Sequence, residues 1–198
     1  MSLVDRITVA LAGDPPHGLL PGDLIEGHEG ETRQAAVLIA ITDRPEPGLI
    51  LTQRRDDLRT HAGQVAFPGG RIDEGEDAPT AALRESFEEL AMNPALVRLL
   101  GEADPYCTVT GYWVTPVVGV VPPDMDLAPN PDEVADWFEA PLDFVLDPIN
   151  QRCMSAEYRG RTRQYYQIDW EGRHIWGATA AMLVNPVSYT HLTLPTKA

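Results

Sequence analysis

Residues Ala35–Thr42 read AAVLIAIT, eight positions without a charge. A strand with one wet face alternates apolar and polar residues, whereas a run that is apolar throughout must be covered on both faces. A second such run, Leu49–Gln53, follows the turn-forming segment DRPEPG. The covering elements are legible as well. Asp77–Met92 has a capping residue in Asp77, Pro79 in its first turn and no breaker before Asn93-Pro94, which predicts one long helix. Leu99–Ala103, Tyr112–Val121 and Val134–Glu139 read as further strands, the last leading into a short helix from Pro141. Gln64–Phe67 is a short extended piece ended by Pro68-Gly69-Gly70. Arg163–Trp170 and Arg173–Trp176 read as a hairpin about Glu171-Gly172, and Gly177–Leu183 opens a final helix. A short helix candidate precedes the Gly- and Pro-rich stretch before residue 34. Apolar strands mixed with a few helices predict an α/β sandwich, not a bundle or an all-β domain.

The chain has 198 residues, enough for one domain with a real core and short for two. The expected domain covers residues 1–186. Residues 187–198 look like a non-native or disordered tail, because they hold Lys197, the only lysine in a chain whose other 14 basic residues are all arginine. The formal net charge of −15 argues against nucleic acid or an anionic membrane surface as partner. Two cysteines, Cys107 and Cys153, make neither a disulfide scaffold nor a metal motif. No apolar run approaches the roughly 20 residues of a membrane span, and Asp5 and Arg6 interrupt any secretory signal. The expected compartment is the reducing cytoplasm.

The long helix carries the chemistry. At 100° per residue, Glu85, Glu88 and Glu89 share one face, and Leu83, Phe87, Leu90 and Ala91 lie opposite. The expectation is a helix that packs through its apolar set and gathers its anions on the other side, with Ala81 and Ala82 leaving space beside them. Two like charges 5 Å apart repel by about 3 kcal/mol at an effective dielectric of 20, and no basic residue follows any of the three glutamates at i+4. Three hard oxygen anions on a rigid element suit a divalent cation, Mg²⁺ or Mn²⁺. Just before the helix, Gly69-Gly70 permits close backbone approach, Glu76 sits at the loop–helix junction, and Arg84 on the helix flank is placed to brace the carboxylates.

Gly70, Glu76, Arg84, Glu85, Glu88 and Glu89 fall at the spacing of the box G-x5-E-x7-R-E-U-x-E-E-x-G-U, and the segment closely resembles that of the Nudix hydrolase family. Ser86 stands where an aliphatic residue is usual and Ala91 where glycine is usual. The resemblance implies an α/β/α sandwich with a mixed sheet between helices. It also implies hydrolysis of a nucleoside diphosphate linked to another moiety, with metal held by Glu85, Glu88, Glu89 and Gly70. Glu85, Glu88, Glu89 and Arg84 are then the catalytic set, and Glu88, Glu89 or Glu133 the candidate bases.

The segment Ile50–Gly70, ILTQRRDDLRTHAGQVAFPGG, concentrates Arg54, Arg55, Arg59 and His61 in an acidic chain, a feature suited to a polyanion. It resembles the narrower pattern LLT-x-R-[SA]-x3-R-x3-G-x3-FPGG of the coenzyme A pyrophosphatase branch. Arg55 departs from the small residue usual there. This resemblance, extending over residues 35 to 183, implies cleavage of coenzyme A to 3′,5′-ADP and 4′-phosphopantetheine. Arg54, Arg59, His61, Gly69 and Gly70 would line the substrate site. ADP-ribose, NADH and dinucleoside polyphosphates are the alternative substrates, and a non-catalytic nucleotide-binding module is the alternative class. Trp113, Tyr112, Trp137 and Trp176 are expected in the core, and Cys107 in packing.

Overall fold

The computed structural model describes residues 2–12, 32–57, 63–158 and 160–187. In chain order the elements are α1 (Leu3–Leu11), β1 (Arg33–Thr42), β2 (Gly48–Arg54), β3 (Val65–Ala66), β4 (Gly69–Arg71), α2 (Ala78–Leu90), β5 (Arg98–Glu102), β6 (Tyr106–Cys107), β7 (Tyr112–Val121), β8 (Val134–Pro141), α3 (Leu142–Leu146), β9 (Arg152–Tyr158), β10 (Arg161–Trp170), β11 (Arg173–Trp176) and α4 (Gly177–Val187). Eight strands form a mixed sheet in which β1 and β7 run parallel and every other pairing is antiparallel. β1 sits at its centre, as its unbroken apolar run requires. Ala36, Leu38 and Ala40 point into one core with Ala81, Ala82 and Leu90 of α2. Ala35, Ile39 and Ile41 point into the other, with Ile7 of α1, Ile168, Ile175 and Leu183. The architecture is the expected α/β sandwich, with helices on both faces of a mixed sheet.

Three elements depart from the sequence reading. The β10–β11 hairpin belongs to a separate three-stranded sheet with β9 at its edge. β9 leaves no apolar trace because Arg152 through Glu157 are all exposed. Gly69-Gly70, read as a turn, continues into a strand: β4 pairs with the first half of β1, Val37 opposite Gly69, while β2 pairs near its end, Ile41 opposite Leu49. The final helix runs beyond Leu183 to Val187, so the expected tail begins inside it; residues 188–198 lie outside the described residues. No described helix is long and apolar enough to cross a membrane.

The orientation of α2 also corrects the helical projection. Its buried residues are Ala81, Ala82, Ser86, Glu89 and Leu90, whereas Phe87 is 54% exposed and Leu83 only half-buried. Toward the sheet the helix turns small side chains, Ala81, Ala82 and Ser86, with the expected Leu90 buried at its end. Ser86 fits where an aliphatic residue is usual, its hydroxyl donating to the Ala82 carbonyl at 2.6 Å. Glu89 is carried inward with this small-residue face.

α2 ends on Ala91, left-handed at φ 54°, with the Ala91 and Met92 amides returning to the Phe87 and Ser86 carbonyls. This is the closure at which glycine is favoured, since an L side chain there costs about 1 kcal/mol. Ala91→Gly is therefore expected to raise unfolding free energy by about 1 kcal/mol in a denaturant titration, with unchanged activity.

Candidate active site

The loop before α2 is fastened by the helix itself. Asp77 caps the helix, accepting from the Thr80 amide at 2.8 Å. Glu76 grips Arg84 through both carboxylate oxygens, Nε to Oε1 and Nη2 to Oε2, each at 3.0 Å, and accepts from the Asp73 amide at 3.1 Å. Arg84 Nη2 also donates to the Arg71 carbonyl at 2.9 Å, tying β4 to the helix. Its Nη1 turns the other way, to Glu85 Oε1 at 2.8 Å and Glu88 Oε2 at 3.3 Å. Arg84 thus supplies from i−4 the countercharge absent at i+4. The Glu76 contact does most to keep it protonated, and in return Arg84 holds the Glu76 carboxyl below the usual range.

The three helix carboxylates stand at three depths. The Glu88 side chain is 54% exposed, Glu85 17% and Glu89 4%. Among the described residues, no three His, Cys, Asp or Glu side chains are gathered at metal-ligand spacing. Glu85 and Glu89 thus form an inner pair, and Glu88 stands further out beside Arg84.

The inner pair meets the backbone of the Phe67–Gly70 segment. Glu89 Oε2 accepts from the Gly69 amide at 3.4 Å. Glu85 packs so closely on Gly70 that a β-carbon there would lie 2.4–2.6 Å from its carboxylate atoms. Burial pushes the Glu89 carboxyl up to about 8, against the opposing pull of Arg54 and the Gly69 amide. Burial likewise raises Glu85, with Arg84 opposing and Glu88 and Glu133 adding to the rise. Two deep carboxylates that resist ionisation are short of positive charge, and hard oxygen donors of this kind fit a divalent cation.

Arg54 closes the inner end of the site. Arg54 ends β2 on the face that carries Ile50 into the α2-side core, because side chains two and four residues apart on a strand share a face. Arg54 Nη1 lies 3.8 Å from Glu89 Oε1, and its buried Nε has no hydrogen-bond partner among the described residues. Arg55, at the position where the coenzyme A pattern prefers a small residue, faces away. It pairs with Asp57 and donates to the Pro131 carbonyl, while its amide donates to the Glu133 carbonyl at 3.3 Å. The Asn130 amide donates to the Glu89 carbonyl at 2.8 Å, so this loop is anchored at both ends and brings Glu133 within the field of the inner pair.

Arg59 and His61 lie outside the described residues. Cys107 is buried, and Trp137 packs half-buried against the α2-side core. Tyr112 and Trp113 are half-buried in β7, Tyr112 beneath the Arg33 guanidinium. Trp176 departs from its expected core position: it is 41% exposed, edge-on to Tyr165 on the outer face of the small sheet. The sequence had no signal for the turning-in of Glu89, because it depends on which face of α2 meets the sheet.

Comparison with known proteins places the chain in a family. The family profile described as NUDIX domain matches residues 32–157. Over 152 residues the chain is 47% identical to a protein of Escherichia coli K12 described as the uncharacterized Nudix hydrolase NudL, spanning 76% of this chain and 79% of that one. The corresponding protein of E. coli O7:K1 is 46% identical over the same length. Among solved structures, RenU, a Nudix hydrolase from M. smegmatis, superposes with a TM-score of 0.50 at 20% identity, covering 58% of this chain and 73% of that one, which shows a shared fold.

Proposed function

This chain belongs to the NUDIX domain family, whose hydrolases act on nucleoside diphosphate derivatives, and we propose that it is a metal-dependent diphosphatase that cleaves coenzyme A, or a coenzyme A derivative, to 3′,5′-ADP and 4′-phosphopantetheine. The observation that carries the reading is the inner pair of carboxylates, Glu85 and Glu89, set against the Gly69-Gly70 backbone with Arg54 beside them. The choice of coenzyme A is supported by the Ile50–Gly70 pattern, of which Arg54 and the two glycines belong to the site so formed.

Glu85, Glu89 and the outer Glu88, with the Gly70 backbone, would hold Mg²⁺ or Mn²⁺. The bound metal would supply charge neutralisation to the phosphate oxygens and a water of lowered pKa. The remaining work belongs to side chains already in place. Arg84 fixes Glu85 and the approach loop through its contacts with Glu76 and Arg71. The burial of Glu89 keeps bulk water from screening its charge, so its interactions act at full strength. Arg54 offers a guanidinium fork for a phosphate at the floor of the site, and Arg59 and His61 in the same segment would extend that cationic lining. Arg55, engaged with Asp57 and Pro131, supports the loop that carries Glu133 and takes no part in phosphate contact.

The test is a substrate panel of coenzyme A, dephospho-coenzyme A, ADP-ribose, NADH and diadenosine polyphosphates with Mg²⁺ or Mn²⁺, with products identified by mass. Coenzyme A is expected to give the highest kcat/KM and the two named products. A higher kcat/KM for ADP-ribose or NADH would keep the hydrolase and overturn the coenzyme A assignment.

A further inference from the structure

Arg54, proposed as a phosphate ligand, is not a surface cation: its side chain is 27% exposed. It lies on the face of β2 that carries Ile50 into the α2-side core, its buried Nε has no hydrogen-bond partner among the described residues, and its Nη1 stands 3.8 Å from Glu89 Oε1, within ion-pair range but outside hydrogen-bond range. The Glu89 side chain is 4% exposed, so water does little to stabilise a charge there. Among the described residues, the hydrogen-bond donor to that carboxylate is the Gly69 amide at 3.4 Å. A guanidinium with an unmade hydrogen bond is held there by charge and not by fitted geometry, and a group held in that way is readily displaced.

We propose that Arg54 is a displaceable counter-ion for Glu89, occupying electrostatically the place that a divalent metal takes, so that metal and Arg54 compete for this carboxylate. The proposal rests on the metal-site reading given above. Arg54 is then a positioning residue before it is a substrate ligand. It keeps the deep carboxylate paired while the site is empty, and metal arrival frees its guanidinium for the incoming phosphate. Metal loading and phosphate capture become ordered by one side chain.

The competition has a counter-intuitive signature. Removing a residue of the binding site should strengthen metal binding. In the purified full chain at about pH 9, Mn²⁺ affinity measured by electron paramagnetic resonance of the free ion should rise about tenfold in Arg54→Gln, since a unit positive charge this close repels a divalent ion strongly. Arg54→Lys, which retains the charge, should remain within a few-fold of the parent. Mn²⁺ should also raise the melting temperature of Arg54→Gln by more than it raises that of the parent, a readout that holds even if the variant starts from lower stability. Unchanged or weakened Mn²⁺ affinity in a folded Arg54→Gln would overturn the competition while leaving the metal site intact. A parent protein that takes up no Mn²⁺ at all would overturn the metal site and this inference together.

Discussion

Glu89→Gln is expected to abolish most of the activity and to make the metal-free protein more stable. The substitution keeps the shape of the side chain, and its amide oxygen still accepts from the Gly69 amide. What it removes is a buried charge needed by the metal. Because metal acts mainly on the transition state, kcat should fall by roughly 10²-fold or more for every substrate, about 3 kcal/mol. Stability should move the other way. The Glu89 carboxyl is raised to about 8 in the folded protein from 4.5. The folded state therefore binds more protons than the unfolded state across that window, and unfolding free energy falls as pH rises through it. The contribution is fully present below 4.5 and lost above about 8. Glu89→Gln has no such slope at this position. By differential scanning calorimetry in chelator, the variant should melt about 5 °C above the parent at pH 8.5, with the difference shrinking toward pH 5. Glu76, Asp77 and Asp136, whose carboxyls are held low by their partners, contribute in the opposite sense and only below that window, where their stabilisation is lost as they protonate. A variant that is inactive and also destabilised at pH 8.5 would show that Glu89 is a structural carboxylate.

Gly69→Ala should be the most damaging single-methyl change near the site. Gly69 has φ 155°, and a β-carbon there would lie 2.4 Å from the Ala36 carbonyl oxygen and 2.6 Å from Val37 Cα. Both are backbone atoms of the central strand and neither can yield. The clash falls within the β4–β1 pairing that presents Gly70 to Glu85 and the Gly69 amide to Glu89. Relief requires β4 to lift from β1, so a loss of about 3 kcal/mol or more is expected in urea unfolding, with activity falling in parallel. Gly172→Ala is the control. Its φ is 78°, and nothing lies within 4 Å of the added carbon, so only the left-handed backbone penalty of about 1 kcal/mol applies. Equal effects at the two positions would mean that backbone conformation alone accounts for the glycine at 69.

The parts of the molecule that the sequence reveals are those set by local rules. Ala35–Thr42 announces a strand covered on both faces, and it lies between the two cores. Asp77 announces the start of α2 and caps it. The spacing of Gly70, Glu76, Arg84 and the glutamates places them on one continuous strand–loop–helix segment. The depth of each carboxylate is a tertiary property. The projection that opposes Leu83 and Phe87 to the glutamates assumes that large apolar residues face the core; Leu90 does, but the rest of the buried face is Ala81, Ala82 and Ser86, and Glu89 goes in with them. β9 was hidden for a related reason, since an exposed edge strand of mixed polarity has no period to read. The approach of Arg54 to Glu89 joins β2 to α2, residues far apart in sequence, and has no local signature.

The central claim is that this helix is a metal-dependent hydrolytic site, and chelation followed by reloading tests it most directly. Enzyme stripped with EDTA should hydrolyse neither coenzyme A nor any other member of the substrate panel. Mg²⁺ or Mn²⁺ should restore the parent fully, and should leave Glu85→Gln and Glu89→Gln at about 1% of it or less. Hydrolysis by the stripped enzyme, or full recovery of both variants on adding metal, would contradict the account.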